Sequence, residues 1–343
     1  MNFNAVVGNP PYQIMDGGAQ ASAAPIYHEF VNIAKKLNPN YVSMIMPSRW
    51  YAGGKGLDEF RTQMLNDINI SILHDFLNPE ALFPNTNIRG GLCFFLWDKN
   101  YDNKKNLTHV VTHSENEIIS DVMRSLKTEG SEIFVRNAVA LSLIKKIFEE
   151  KKEDCFENYV SGLRPFGLRG YFAKDENCKA TKEGLQEPVG IYVKGIKLMY
   201  VEKSLIPAHK EWIDIYKVFT SRANNIGTEL SDDNFNAFVG KPGEICTESY
   251  IMLGAGMNLT EEMATNIVKY FKTRFARFMH SIAKASQDAT AKTYKFVPLQ
   301  DFTPASDIDW GKSITEIDQQ LYKKYGLTGE EVSFIEKMIK GME

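Results

Sequence analysis

Two short apolar runs near the start of the chain have the length and composition of buried strands. The first, Ala5–Val7, is followed by Gly8 and two prolines, and the second, residues 41–46, is followed by Pro47. Proline ends a strand because it has no N–H group for the sheet and fixes its own φ. Residues 26–37 place apolar side chains at helical spacing, so the order strand, helix, strand predicts a parallel βαβ unit.

The later pattern predicts an α/β fold that begins with a partial Rossmann-like sheet. From about residue 151 it changes to short strands and turns, which indicates an α+β domain, and a helical tail follows. The predicted domains are residues 1–150, 151–300 and 301–343. The other predicted elements are a helix over 57–65, strands over 68–76 and 90–98 that pair as an antiparallel edge, a helix over 138–150, strands over 191–193, 198–201 and 215–219, and a long helix over 260–285.

Composition narrows the class of protein. The 343 residues carry a net charge of −3, and no apolar run reaches the length of a membrane span, about 18 residues. Without a leader pattern at the N-terminus, this predicts a cytoplasmic protein. The four cysteines are widely spaced and no Cys-x-x-Cys or His-x-x-x-His pair occurs, so no metal site is indicated. A net negative charge does not favour non-specific nucleic-acid binding, although a local basic face would be enough to bind phosphates.

The loop after the first strand carries the most specific chemistry in the sequence. It reads Asn9-Pro10-Pro11-Tyr12 and lies at a strand end, where open α/β sheets bind their ligands. The Asn9 amide and the Pro10 carbonyl can accept the two hydrogens of an exocyclic amine, and the Tyr12 ring can stack on a planar ligand. The alternative is a Pro-Pro turn that only ends the strand.

This tetrapeptide after an apolar strand resembles the catalytic signature of amino-group DNA methyltransferases, chiefly those that modify adenine at N6. The resemblance implies that Asn9, Pro10 and Pro11 form the loop that holds the target amine, and that Tyr12 stacks on a flipped-out adenine. It also implies S-adenosylmethionine as cofactor and double-stranded DNA as substrate, with Gly8 allowing close approach. Restriction-modification methylases of the bifunctional and helicase-linked types are similar in further segments: Pro47–Trp50, Leu82–Pro84, Gly90–Leu96, Lys272–Phe278 and Phe296–Phe302.

Beside this methylase-like segment, residues 151–300 are interpreted as a DNA target-recognition domain. Arginines and amides on Gly-rich loops suit base edges and phosphates. An ordinary α+β domain with polar loops is the alternative. The expected DNA contacts are Arg49, Arg164, Arg169, Arg222, Asn224, Lys272, Arg274 and Arg277.

A cofactor loop is the one expected part that the sequence does not clearly contain. Gly254-Ala255-Gly256 precedes a helix, but no acidic residue follows at a strand end about 20 residues later. The resemblance therefore implies that Met1 lies inside the usual domain and that a partner polypeptide supplies the missing cofactor-binding strands. We expect a site-specific DNA adenine methyltransferase. A non-catalytic DNA-binding specificity subunit or remnant stays open, and methylation of RNA or of protein glutamine shares the tetrapeptide.

Overall fold

The computed structural model divides the chain into two compact units, Met1–Leu141 and Ser142–Glu343. The predicted α/β class is confirmed, since the first unit is built on a mixed sheet with helices. The roles predicted for residues 1–150, 151–300 and 301–343 remain predictions. The structure describes residues 3–14, 24–84, 88, 90–114, 117–128, 131–224, 226, 235–284 and 287–342.

The described part of the first unit contains eight strands and three helices. The strands are β1 (Ala5–Gly8), β2 (Gln13–Ile14), β3 (Ala24–Pro25), β4 (Tyr41–Pro47), β5 (Ile70–Phe76), β6 (Leu92–Asp98), β7 (Thr108–Ser114) and β8 (Glu117–Arg124). The helices are α1 (Tyr27–Lys36), α2 (Asp58–Asn66) and α3 (Asn103–Asn106). Six of the strands form one sheet in the order β1-β4-β6-β5-β7-β8, and β2 pairs with β3.

The predicted βαβ unit is confirmed, because β1 and β4 are parallel with Val7 opposite Ser43. Helices α1 and α2 cover one face of the sheet, where their apolar side chains pack against alternate strand residues. Val31 from α1 and Met64 from α2 belong to the same buried cluster as Met44 and Phe95. Each large apolar side chain that is fully buried in this way contributes about 1.5–3 kcal/mol to stability.

The strands predicted over 68–76 and 90–98 do pair in antiparallel fashion, but they do not form an edge. β6 lies between β4 and β5, and β5 pairs in parallel with β7 on its other side. The prediction was wrong because β7 and β8 form a further hairpin that extends the sheet. Among the described residues β1 pairs only with β4, so β1 is an edge strand.

The second unit contains two three-stranded sheets in its described residues. One has the order β10-β9-β13 and the other β12-β11-β14. These strands are β9 (Pro188–Val193), β10 (Lys197–Glu202), β11 (Lys217–Ser221), β12 (Phe238–Gly240), β13 (Glu244–Cys246) and β14 (Tyr250–Leu253). The helices are α5 (Glu261–Lys272), α6 (Arg274–Ile282), α7 (Ile314–Lys324) and α8 (Gly329–Met338), while α4 (Ala138–Ile144) spans the division between the units. No helix in the described part of the chain is long and apolar enough to span a membrane.

The prediction of one long helix over 260–285 is wrong, because the helix is interrupted at Thr273. Thr273 has extended backbone angles, and its Oγ1 accepts a hydrogen bond from the Ala276 N–H at 3.1 Å. The Asp318 carboxylate accepts the N–H groups of Arg274 and Phe275, both at 2.9 Å. Two side chains thus satisfy the free N–H groups of a new helix start, which makes α5 and α6 separate helices.

Candidate functional site

The two loops singled out by the sequence lie at the same edge of the sheet. Residues 9–12 follow β1 and residues 47–49 follow β4, and the two strands are parallel with Gly8 opposite Met44. Both loops line a pocket of about 630 Å³. Its lining residues are Asn9, Pro10, Pro11, Tyr12, Gln13, Pro25, Tyr27, Pro47, Arg49, Lys55 and Ile88.

The predicted catalytic loop forms one wall of this pocket. Pro10 is buried, whereas the Asn9 side chain is exposed and has no hydrogen-bond partner within the described residues. A Cβ atom added at Gly8 would meet no atom within 4 Å, so the space beside the loop is open. Asn9 is therefore accessible from the pocket, and Pro10 lines the same wall.

Tyr12 is anchored at its backbone and leaves its ring at the pocket. Its carbonyl accepts the N–H of Ile26 at 3.2 Å, and its hydroxyl is buried without a hydrogen-bond partner. Burial, and secondly the charge of Cys93, raise the pKa of Tyr12 to about 12. The phenol therefore keeps its proton well above physiological pH.

Arg49 is carried by a short 3-10 turn, Ser48–Tyr51, that directly follows β4. Pro47 starts the turn, and the Ser48 N–H donates to the Gly91 carbonyl at 3.0 Å. Trp50 is fully buried, and its Nε1 lies 3.3 Å from Cys93 Sγ. Burial raises the pKa of Cys93 to about 12, so this thiol is a packing and hydrogen-bonding group at neutral pH.

Tyr27 lines the pocket, although the sequence pattern indicated only a helical position for it. It is the first residue of α1 and is 1% exposed, and its hydroxyl has no hydrogen-bond partner of normal geometry. Burial raises its pKa, and the nearby charge of Arg49 partly offsets that effect. The available signal was weak: an aromatic residue at the start of the helix that follows the catalytic loop. Lys55 is a second lining residue that sequence reasoning did not select.

Most of the other predicted DNA-contact residues lie in the second unit and have solvent access. Arg169 is exposed, and Arg164 lies 3.5 Å from Glu248 while keeping 48% of its side chain exposed. Arg222, 3.6 Å from Asp288, is 36% exposed, and Lys272 and Arg274 are half-buried, with Arg274 3.4 Å from Glu336. Their contact with DNA stays a prediction.

Asn224 and Arg277 are held inside the second unit. The Asn224 Oδ1 and backbone carbonyl accept hydrogen bonds from Lys284 Nζ at 2.5 and 3.0 Å. Arg277 is fully buried, and its Nη2 donates to the Lys340 carbonyl at 2.6 Å. Because both side chains stabilise the fold in this conformation, the proposed DNA interface does not include them.

The Gly-rich candidate for the cofactor loop does not fit S-adenosylmethionine. A Cβ atom at Gly254 would lie 2.7 Å from Leu259 Cδ1, so the space beside this glycine is filled by the protein itself. The Ala255 N–H donates to the Tyr159 carbonyl, and the Met257 N–H to the Gly254 carbonyl. These groups make a closed turn, and the described residues around it do not form a cofactor cradle.

Comparison with known proteins identifies relatives of the segment that contains Asn9–Tyr12. Residues 1–83 match the family model of the Eco57I restriction-modification methylases. The predicted resemblance is confirmed. This methylase segment, residues 1–83, contains Asn9–Tyr12 and Arg49. An uncharacterized adenine-specific methylase of Mycoplasma pneumoniae is 34% identical over 107 residues, which are 30% of this chain and 25% of that protein. The chain therefore spans about a quarter of the length of this relative.

Comparison with solved structures finds two restriction enzymes at low similarity. The type IIL enzyme MmeI in complex with DNA has a TM-score of 0.48 and 8% identity, covering 97% of this chain and 56% of that one. The type IIG endonuclease BpuSI has a TM-score of 0.37 and 12% identity, covering 97% and 52%. Both TM-scores lie below 0.5, and the assignment of the methylase segment rests on the sequence matches.

Proposed function

We propose that the pocket beside Asn9 binds a flipped-out adenine of DNA and presents its N6 amine for methylation, as part of a restriction-modification system. The observation that carries this proposal is the position of Asn9-Pro10-Pro11-Tyr12. The tetrapeptide lines an open pocket at the ends of two parallel strands, inside the segment that matches restriction-modification methylases. Extrusion of the base is required because the amine cannot be reached inside a duplex.

The chain's own groups would act on the amine by hydrogen bonding. The Asn9 Oδ1 and the Pro10 carbonyl accept its two hydrogens, which orients the nitrogen lone pair toward the side of attack. As the nitrogen becomes tetrahedral and gains positive charge, these fixed oxygens stabilise it more strongly than they stabilise the planar amine. Tyr12, with its neutral ring at the pocket, stacks on the base.

S-adenosylmethionine is the proposed methyl donor, and we assign its site to a partner polypeptide that extends the sheet at β1. Exposed apolar side chains flank this edge strand on both faces of the sheet. Val7 is 75% and Tyr41 43% exposed on one face, and Ile33 of α1 is 54% exposed on the other. An unpaired edge strand beside exposed apolar side chains promotes association with other chains unless another element covers it. A partner strand with helices on both of its faces would pair with β1 and cover these side chains.

Calorimetric titration with S-adenosylmethionine tests the partner assignment. We expect no binding to the purified chain alone and micromolar binding once the partner polypeptide is added. Micromolar binding by the chain alone would contradict the assignment of the cofactor site to a partner.

The main competing function is a non-catalytic DNA-binding subunit, which is favoured by the closed turn at Gly254. Substitution Asn9→Ala separates the two, measured as methyl incorporation and as DNA binding on the same preparation. Methylation should be lost while DNA affinity changes less than about threefold, because a single exposed amide contributes little to binding a long polyanion. Gln63→Ala, an exposed amide on α2 outside the pocket, is the matched control and should leave both unchanged. A DNA-linked function that is indifferent to Asn9 would overturn the proposal.

A further inference from the structure

The pocket beside Asn9 carries two cations and no carboxylate among its described lining residues. Arg49 and Lys55 both line it, and within the described part of the chain neither has an ion-pair partner. A concave wall with charge of one sign attracts counter-ions and anionic ligands. The neutral groups of Asn9 and Tyr12 suit a base, so the two cations indicate a second, anionic feature of the ligand.

Arg49 is presented on a rigid support. The turn that carries it is fixed on one side by Pro47 and on the other by fully buried Trp50. Arg49 Nε is itself buried and has no hydrogen-bond partner. A buried donor that has lost its water is costly unless an acceptor reaches it, and Arg49 is one of the residues that line the pocket. The guanidinium is therefore arranged to receive an oxygen acceptor from a ligand.

Tyr27 supplies a second unused donor in the same wall. Its side chain is 1% exposed and lines the pocket, and its hydroxyl has no partner of normal geometry. Burial keeps the pKa of Tyr27 above its ordinary value, so the group is a neutral O–H donor at physiological pH. Tyr27 and Arg49 both line this pocket, and the charge of Arg49 lowers the pKa of the Tyr27 hydroxyl against the effect of burial.

We propose that Arg49, Lys55 and the Tyr27 hydroxyl form a phosphate subsite that holds a phosphodiester group of the DNA strand next to the flipped nucleotide. The planar guanidinium matches two phosphate oxygens, and Lys55 adds a point charge. This inference rests on the proposed function and deepens it. The pocket would select a nucleotide within a polynucleotide and discriminate against the free nucleoside.

A single-stranded pentanucleotide with 2-aminopurine between thymidines is a suitable probe, because its fluorescence changes when the base leaves its stack. A second pentanucleotide carries neutral methylphosphonates at the two linkages that flank 2-aminopurine. The full chain should bind the phosphodiester probe about ten- to hundredfold more tightly than the methylphosphonate probe, the range expected for hydrogen bonds to a charged group. Arg49→Ala and Tyr27→Phe should lose most of this preference.

Lys104→Ala is the matched control, since Lys104 is exposed on α3 and does not line the pocket. It should keep the full preference. Tyr27→Phe removes a hydroxyl that donates to no acceptor in the described residues and interacts only with the Trp50 backbone, so its thermal stability should stay close to that of the wild type. If Tyr27→Phe loses the preference for the phosphodiester probe without losing stability relative to the wild type, the hydroxyl acts in ligand binding and not in folding.

The possible failures are distinguishable. If Arg49→Ala and Tyr27→Phe keep the preference while Asn9→Ala still abolishes methylation, the phosphate subsite is wrong and the proposed function stands. If these variants weaken the binding of both probes equally, the subsite does not read the phosphodiester and its assignment is overturned. If neither probe binds the wild-type chain, the subsite and the proposed function both fail.

Discussion

Asp75 and Arg136, 61 residues apart in the chain, form a buried two-pronged ion pair in the first unit. Arg136 Nε donates to Asp75 Oδ2 at 2.8 Å and its Nη2 to Oδ1 at 2.6 Å, and Asp75 is fully buried. The same two side chains also hydrogen-bond to residues next to the candidate site. Ser48 Oγ donates to Asp75 Oδ1 at 3.2 Å, and Arg136 Nη1 to the Gly90 carbonyl at 2.9 Å. The pair thus fixes the turn that presents Arg49.

Substitution Asp75→Asn should lower the free energy of unfolding by about 3–5 kcal/mol. It leaves the Arg136 guanidinium, which is only 21% exposed, without a compensating charge, and breaking one partner of a buried pair has costs of this size. Denaturant unfolding followed by circular dichroism measures the change. Asp121→Asn breaks the exposed pair with His109 and should cost no more than about 1 kcal/mol. Equal small effects of both substitutions would show that the buried pair does not anchor the turn.

The start of α6 yields a second prediction. Thr273→Ala should destabilise the protein by about 1–2 kcal/mol, because it removes the oxygen that caps the Ala276 N–H. Thr265→Ala is the control: its hydroxyl bonds only the Glu261 carbonyl on an exposed side of α5, and alanine is a better helix former. In thermal unfolding, Thr273→Ala should have the lowest melting temperature, and the melting temperature of Thr265→Ala should equal or exceed that of the wild type. The reverse order would contradict the capping role.

The burial of Lys284 makes the stability of the second unit depend on pH. Burial lowers its pKa from 10.5 to about 7, although Lys284 Nζ donates to Asn224 and to the Gln287 carbonyl. Above pH 7 the unfolded chain holds the proton that the folded chain has lost. Stability contributed by this group therefore rises with pH between about 7 and 10.5, by up to about 1.4 kcal/mol per pH unit.

The pH effect is measured as a difference between the wild type and Lys284→Met in urea unfolding at pH 7.0 and 8.5. The stability of the wild type relative to this variant should increase between the two values. Lys337→Met, at an exposed position on α8, should show a pH-independent difference from the wild type. A constant difference for Lys284→Met would mean that Lys284 stays charged when folded.

Tyr12 allows the stacking role to be tested apart from hydrogen bonding. Tyr12→Phe keeps the ring and removes a hydroxyl that has no partner, so methylation should stay within about threefold of the wild type. Tyr12→Ala removes the ring, and stacking of a base on an aromatic side chain is worth about 1–3 kcal/mol. We expect kcat/KM to fall about ten- to hundredfold for Tyr12→Ala. A strong loss with Tyr12→Phe would point to the hydroxyl instead.

The sequence was sufficient for features that depend on local pattern. The strand Tyr41–Pro47 ends at a proline, and Ala5–Gly8 ends two residues before one. This local chemistry predicted both the parallel unit and the loop that lines the pocket. Structural features that depend on residues far apart in the chain could not be predicted from the local sequence pattern. The break at Thr273 depends on Asp318, which is 43 residues from Phe275 in the chain.

The burial of individual polar residues was also not visible in the sequence. Arg277 and Asn224 have the composition of a DNA-binding surface, but only the packed structure shows that their partners are Lys340 and Lys284. Tyr27 shows the opposite case, because sequence reasoning did not select it although it lines the pocket. Asp75 did carry a signal, as a carboxylate within a strand is rarely buried without a cation.

The most direct test of the account is the identity of the methylated base. DNA incubated with the chain, its partner polypeptide and isotopically labelled S-adenosylmethionine would be digested to nucleosides and analysed by mass spectrometry. The account predicts label in N6-methyldeoxyadenosine with the wild type and none with Asn9→Ala. Label in another nucleoside, or equal label with Asn9→Ala, would contradict the assignment of this pocket as the site of adenine methylation.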